Sequence, residues 1–263
     1  MLNKKVEPLT SFAVIASQLS KFDHIPVMLK ESIDLLNVRK NGIYVDATLG
    51  QGGHSEIIAK LLKGQGKIIG IDQDPEAIRA AKEKLVRSGD LMKFVHNNFK
   101  NLEIILDELN IKKVDGILLD LGVSAEQLKN PKRGFSFSEN AENLNSKLDM
   151  RMNTLQNISA YDVLNKYREN ELKDIFLNLG EEHYIYSKKI AKRIVQERTK
   201  KPITTVNDLL VIIKSTMPPK YRFRKRSHYA SKIFRAIRME VNQELPALQE
   251  IIPQAINKLK KGG

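Results

Sequence analysis

Short apolar runs alternating with stretches of helical spacing organise the first half of the chain. Ile43–Thr48 (IYVDAT) reads as a strand and is followed by Gly50, Gly52 and Gly53. Ser55–Leu62 then repeats apolar residues at helical spacing and stops before Gly64 and Gly66. Lys67–Asp72 (KIIGID) predicts a second strand, and Asp74-Pro75-Glu76 predicts a helix start, with Asp as cap, Pro at the first helical position and an acid in the first turn. Lys93–His96 and Val114–Leu121 complete a set of four strands, with helices over Val27–Leu36, from Pro75 to about Arg87, and over Leu102–Leu109. Nearly all-apolar strands that alternate with helices predict a parallel sheet covered on both faces, an α/β architecture.

The rhythm breaks after Gly122. Residues 127–152 are polar and loop-rich, and from Asn157 to about Leu210 the periodicity is helical, interrupted by Gly180 and Pro202. A last amphipathic helix is predicted over Ser231–Leu245, with Pro246 and Pro253 dividing the C-terminal residues. The resulting division is an extension over 1–22, an α/β domain over 23–128 and 231–263, and a mostly helical insertion over 129–230.

Charge sharpens that division. Residues 1–130 carry 18 basic and 17 acidic groups, whereas 131–263 carry 26 and 14. His183–Arg238 alone holds 16 Lys and Arg against Glu197 and Asp208. A neutral half joined to a basic half favours a polyanionic partner, nucleic acid before acidic lipid. With no cysteine there is no disulfide, thiol nucleophile or thiolate zinc site, and the five histidines are too dispersed to suggest a metal. A reducing, cytoplasmic compartment fits, and the longest early apolar run, Phe12–Ala16, is too short for a membrane span.

The strongest chemical signal is the strand–glycine–helix sequence Gly50-Gln51-Gly52-Gly53-His54-Ser55, with Asp72 ending the second strand 20 residues past Gly52. That spacing suits a carboxylate accepting hydrogen bonds from both ribose hydroxyls of an adenosine-type cofactor. Ser55 replaces the Gly or Ala of a dinucleotide fingerprint, and no phosphate-binding G-x4-G-K-[ST] loop occurs. Asp46, just ahead of the glycines, would repel a pyrophosphate but suits the ammonium and sulfonium of S-adenosylmethionine.

From His24-Ile25-Pro26-Val27-Met28 onward the chain resembles the bacterial 16S rRNA (cytosine-N4)-methyltransferases of the RsmH/MraW family. The resemblance is carried by GQGGHS (50–55), IDQDP (71–75), DGILLDLGVS (115–124), RGFSF (133–137), LDMRM (148–152), LGEE (179–182) and FRAIRMEVN (234–242). It implies a Rossmann-like class I methyltransferase fold with a helical inserted domain. It also implies S-adenosylmethionine as cofactor, small-subunit rRNA within the small ribosomal subunit as partner, and N4 of a cytidine in the decoding (P-site) region as acceptor. Its cofactor contacts fall on Gly52, Gly53, His54, Asp72, Phe99, Asp120 and Gln127.

No proline or aromatic follows Asp120, so the familiar amino-methyltransferase motif is absent, and Asp120 and Ser124 are the candidates for the reacting amine. For the RNA, Arg133, Phe135 and Phe137 offer a cation and two stacking rings, unless the phenylalanines alternate into a core. Asp149 and Arg151 are either a salt-bridged hinge or part of the cytidine pocket. Arg222, Arg224 and Arg226 of YRFRKR supply phosphate contacts. The other readings are a non-catalytic RNA-binding or ribosome-assembly protein of the same fold, and a methyltransferase with a DNA or small-molecule acceptor.

Relatives turn after the final helix through a glycine pair into a fifth strand ending in Ser-Phe-His-Ser-Leu-Glu-Asp. This sequence stops at Lys260-Lys261-Gly262-Gly263. The expectation is therefore a fragment of a longer chain, with the fourth strand left as an open edge, weak cofactor binding, a tendency to associate and poor methyl transfer.

Overall fold

The computed structural model describes residues 26–138, 140–222 and 228–263. Arg224 and Arg226, like the 1–22 extension, lie outside them. Four strands form one sheet, β1 (Ile43–Asp46), β2 (Lys67–Asp72), β3 (Met92–His96) and β4 (Gly116–Leu118), in the order β3-β2-β1-β4 with every pairing parallel. The register sets Asp46 beside Gly70 and Asp72 beside His96, so the C-terminal ends of β1 and β2 lie together. The strand order reverses direction at β1, and it is at the C-terminal strand ends beside such a switch that parallel sheets take ligands. Val45, Ile68, Ile69 and Ile71 are fully buried, which is why these strands carry no polar alternation.

β4 is shorter than the expected Val114–Leu121. After Leu118 the backbone leaves the ladder, and the Asp120 N–H donates to Thr48 Oγ1 (2.7 Å). Along its outer side Leu259 bridges Val114 in parallel, with Val114 N–H donating to Lys258 O (2.8 Å) and Lys260 N–H to Val114 O (2.9 Å). The residues just before the C-terminal glycines thus occupy the start of the position expected of a fifth strand. Lys258 is almost wholly buried and ion-pairs with Asp107, while Lys260 pairs with Asp115 at 2.7 Å.

The chain divides into two compact units, one ending at Leu121 and taking in Ile251–Gly263, the other Gly122–Glu250. The first has a core around Tyr44, Ile57, Ile58, Leu62 and Ile68. The second is helical, with Phe176, Ile190, Ile194, Leu209, Ile213 and Ile237 among its buried residues. Residues 231–250, placed with the sheet on sequence grounds, belong to the helical unit. The reason is the apolar stripe Ile233, Phe234, Ala236, Ile237 and Val241 of the helix Ser231–Val241, which packs on the helices Ala160–Lys166 and Glu169–Asn178. The next helix, Glu244–Lys258, runs through both prolines. Pro246 sits in its first turn, where an N–H has no intrahelical acceptor, whereas Pro253 is tolerated inside.

Candidate functional site

In the sheet unit, the loop after β1 and the end of β2 are tied together through one carboxylate. Asp72 Oδ2 accepts the Gly50 N–H (2.8 Å) and Oδ1 accepts the Asp74 N–H (2.9 Å). Each oxygen keeps a second lone pair, so the group is fixed in place without being used up. Burial pushes the Asp72 carboxyl up to about 6; the two backbone donors oppose this, and the charges of Asp74 and Asp46 add to it. Asp74 caps the following helix through the Glu76 N–H (3.0 Å), which relieves Asp72 of that duty.

Asp46 is buried at the end of β1. Its Oδ2 accepts from Ser55 Oγ at 2.7 Å, while Oδ1 finds no hydrogen-bond partner among the described residues. Burial raises this carboxyl too, opposed by Ser55, the neighbouring His54 and the Thr48 backbone, with the Asp120 charge adding to the rise. His54, the second residue of the helix Gly53–Leu62, is 7% exposed, and its Nε2 is likewise without a hydrogen-bond partner among the described residues. Two orphaned polar atoms beside an anchored carboxylate are what a polar ligand at these strand ends would satisfy. Phe99 begins the short turn after β3 and is 9% exposed. Asp120 is exposed after β4.

The glycines serve the fold as much as a ligand. Gly52 has φ 77°, and a Cβ there would lie 2.5 Å from Leu85 Cδ1; a Cβ on Gly53 would lie 2.5 Å from Pro26 Cγ. The protein's own packing thus requires a glycine at both positions, whatever ligand the loop meets. Gly52→Ala is expected to lower stability by about 2–3 kcal/mol, from the left-handed backbone plus a displaced Leu85, read as a shift of the urea midpoint at constant slope.

Ser124 and Gln127 belong to the helical unit and form a capping box. Gln127 N–H donates to Ser124 Oγ (3.1 Å) and Ser124 N–H to Gln127 Oε1 (3.0 Å), at the start of the helix Ala125–Lys129. Both side chains thus have a local structural task where chemistry and cofactor binding were expected of them.

The RGFSF, LDMRM and FRAIRMEVN segments close into one knot within the helical unit. Buried Arg133 donates through Nη2 to Arg151 O (2.8 Å) and Met152 O (3.0 Å). Met150 N–H donates to Arg133 O (3.0 Å), with Met150 itself at φ 56°. Gly134, at φ 68°, has no space for a Cβ against the Lys147 carbonyl. Asn242, to which the sequence alone assigns no role, donates Nδ2 to Met150 O (2.8 Å) and Arg238 O (2.8 Å) and accepts the Met152 N–H (2.7 Å). Asp149 and Arg151 form the salt-bridged alternative, with two side-chain bonds of 2.8 Å each. Burial would raise the Asp149 carboxyl, but the bonds from Arg151 outweigh it and hold it below the usual range.

The rings predicted to stack on RNA lie against protein. Phe135 is 5% exposed in the helical core, and Phe137 packs on His228 (centroids 4.9 Å) and Phe234 (4.8 Å). Arg222 ends the short helix Pro219–Arg222. Among the described residues no cluster of His, Asp and Glu could hold a metal, and no helix is long and apolar enough to cross a membrane.

An all-parallel doubly wound sheet with an anchored acid at its second strand end defines the class: an α/β domain built to hold an adenosine-type cofactor. The MraW methylase family matches residues 21–263. Two ribosomal RNA small subunit methyltransferases H from Clostridium botulinum strains (Loch Maree / Type A3 and 657 / Type Ba4) are 51% and 50% identical over 92% of this chain and 75% of their own length. The chain belongs to the MraW methylase family. Among solved structures, a SAM-dependent O-methyltransferase of Thermotoga maritima aligns over 42% of this chain and 41% of its own, at 17% identity and a TM-score of 0.32.

Proposed function

We propose that this protein methylates small-subunit rRNA with S-adenosylmethionine as donor, and that the acceptor is N4 of a cytidine in the decoding region. The observation that carries the reading is the Asp72 carboxylate, held by Gly50 and Asp74 at the strand ends with lone pairs to spare for two ribose hydroxyls. Membership of a methylase family and the names of relatives at half identity supply the reaction and the RNA.

When bound, S-adenosylmethionine supplies an electrophilic methyl on a positively charged sulfonium. The residues here do the rest. Asp72 fixes the ribose, Gly52, Gly53 and His54 border the loop, and Phe99 lies beside the β3 end for the adenine. The open Oδ1 of Asp46 supplies negative potential for the donor's cationic end. The cytosine N4 lone pair is delocalised into its ring, so most of the rate gain comes from holding N4 in line with the S–CH3 bond. Asp120, exposed and tethered through Thr48, is the carboxylate assigned to the N4 proton. Ser124 and Gln127 act by shaping the loop after β4, and Arg133, Asp149 and Arg151 by building the loop that meets the RNA.

Labelled S-adenosylmethionine offered with assembled small subunits, free rRNA and DNA, followed by nucleoside mass spectrometry, tests the proposal. Label in N4-methylcytidine from rRNA is expected; label only in DNA or in no polymer would refute it. Changing Arg222, Arg224 and Arg226 to Glu is expected to weaken RNA binding and flatten its salt dependence, by about 0.7–0.9 log units of slope for each phosphate no longer neutralised. Cofactor affinity, measured in the same samples, should be unchanged.

A further inference from the structure

The helical unit presents a hollow of about 530 Å³ at the start of the helix Tyr184–Arg198, distinct from the RGFSF and LDMRM segments. Its walls include His183, Tyr186, Tyr221 and Lys232. The Tyr186 and Tyr221 rings stand 4.4 Å apart at 45°, and the His183 ring meets Tyr186 edge-on at 6.1 Å. Beneath them Glu182 is buried, and its Oε1 accepts from the Tyr221 hydroxyl (2.6 Å) and the His183 N–H (2.8 Å). The Tyr221 ring is therefore pinned in orientation by a charge-assisted bond. Burial and that bond hold its phenol protonated.

From the hollow, the same helix leads away with an exposed cationic face. Lys188, Lys189 and Lys192 are exposed and have no carboxylate partner among the described residues, whereas Arg193 is paired with Glu197 at 2.8 Å. Lys188 and Lys192 are four residues apart, about 6 Å along the axis. Rings set in a hollow beside a line of unpaired cations match unpaired RNA, whose bases stack on aromatic side chains while its phosphates meet lysines. Tyr184 and Ile185 are half-exposed at the same helix start, but two apolar side chains are too small an apolar face to bury in a membrane surface, and an acidic peptide would leave the rings without a task.

We propose that this hollow is a stacking subsite for one unpaired nucleobase of the RNA substrate, with Lys188, Lys189 and Lys192 carrying the adjoining phosphates. Tyr186 is the platform, and Glu182 is a positioning residue that acts through Tyr221. The inference rests on the rRNA-methylating reading and adds to it a second RNA contact, apart from the base that is methylated.

The test uses the full chain and a single-stranded RNA nonamer carrying one central 2-aminopurine, whose fluorescence falls when the base is stacked. Saturable quenching is expected. Tyr186→Leu should abolish the quenching and weaken binding about tenfold with the salt slope unchanged, while Tyr186→Phe keeps both. Changing Lys188, Lys189 and Lys192 to Gln should lower the slope by about 2 while quenching at saturation persists. Absence of quenching with the unaltered protein overturns the proposal, whatever the stability of the variants. So does quenching that survives in Tyr186→Leu, or a polyglutamate peptide that displaces the nonamer as well as unlabelled RNA does. Methyl transfer to rRNA is scored separately: a protein that methylates without quenching the probe loses this subsite only, and one that quenches without methylating loses the enzymatic reading.

Discussion

Asp72→Ala is expected to weaken S-adenosylmethionine binding by about 2 kcal/mol or more, roughly thirtyfold, because two ribose hydroxyls lose a charged acceptor. The same change frees the Gly50 and Asp74 N–H groups, so the loop after β1 loses its tether as well as the ligand its partner. Asp72→Asn separates the two effects, since it keeps one acceptor and the side-chain volume. The pH dependence gives an independent reading. With the free carboxyl at about 6, the ionised form that accepts the hydroxyls dominates above that pH. Affinity should therefore be full near pH 8 and fall as pH drops through 6, by up to tenfold per unit below it. Stability of the free protein runs the other way. The folded carboxyl lies above its ordinary 3.8, so the folded state holds the extra proton between pH 4 and 6, and stability declines as pH rises through that window. Calorimetric titration from pH 5 to 8 checks the first, and urea unfolding of the free protein from pH 4 to 7 checks the second. Unchanged affinity in Asp72→Ala, or a flat profile in the unaltered protein, would remove Asp72 from the ribose.

The sheet was legible because its signals are local and redundant. Ile43, Lys67 and the Asp74-Pro75 cap each mark an element end, and an apolar strand buried on both faces has little room for another reading. The place of Asp72 at the end of β2 was legible from strand-end spacing, whereas its bonds from the Gly50 and Asp74 N–H groups were not. The features that escaped depend on partners distant in the chain. The stripe of the Ser231–Val241 helix says that the helix is buried but not against which unit, and the expectation set it on the sheet. Phe135 and Arg133 carry the composition of an RNA contact, yet Arg133 uses its guanidinium on backbone carbonyls 18 and 19 residues away. Ser124 and Gln127 differ: S-x-x-Q before a helix is a local capping signature, visible in the sequence without any distant partner. Gly52 shows the converse, a motif glycine whose missing Cβ makes way for Leu85.

Asn242→Ala is expected to cost about 3 kcal/mol or more of stability, with a melting temperature lower by roughly 10 °C. Asn242 is 4% exposed, and its amide bridges Met150 and Met152 in the LDMRM loop while also bonding the Arg238 carbonyl of its own helix. Removing it strands buried backbone groups that water cannot reach, which costs more than the bonds themselves contribute. The loop has reason to need the restraint, since Met150 holds a left-handed backbone at φ 56° that a β-unbranched side chain adopts only when its neighbours dictate it. Asn242→Asp keeps the acceptor for the Met152 N–H but turns a negative oxygen toward the Met150 carbonyl, so it should recover little. The functional consequence follows from the neighbours on that loop. Asp149 and Arg151 flank Met150 and bond to one another around it, so when Met150 loses its restraint the loop that the proposal gives to RNA loses its shape before the protein unfolds. Cofactor affinity, which depends on the sheet unit, should survive in Asn242→Ala at about 20 °C while methyl transfer to rRNA falls. Amide exchange at Met152 reads the loop directly: it should rise well above that of Val163 in the neighbouring helical core. Equal protection at both sites, or full activity in Asn242→Ala, would show that the loop is held by Arg133 alone.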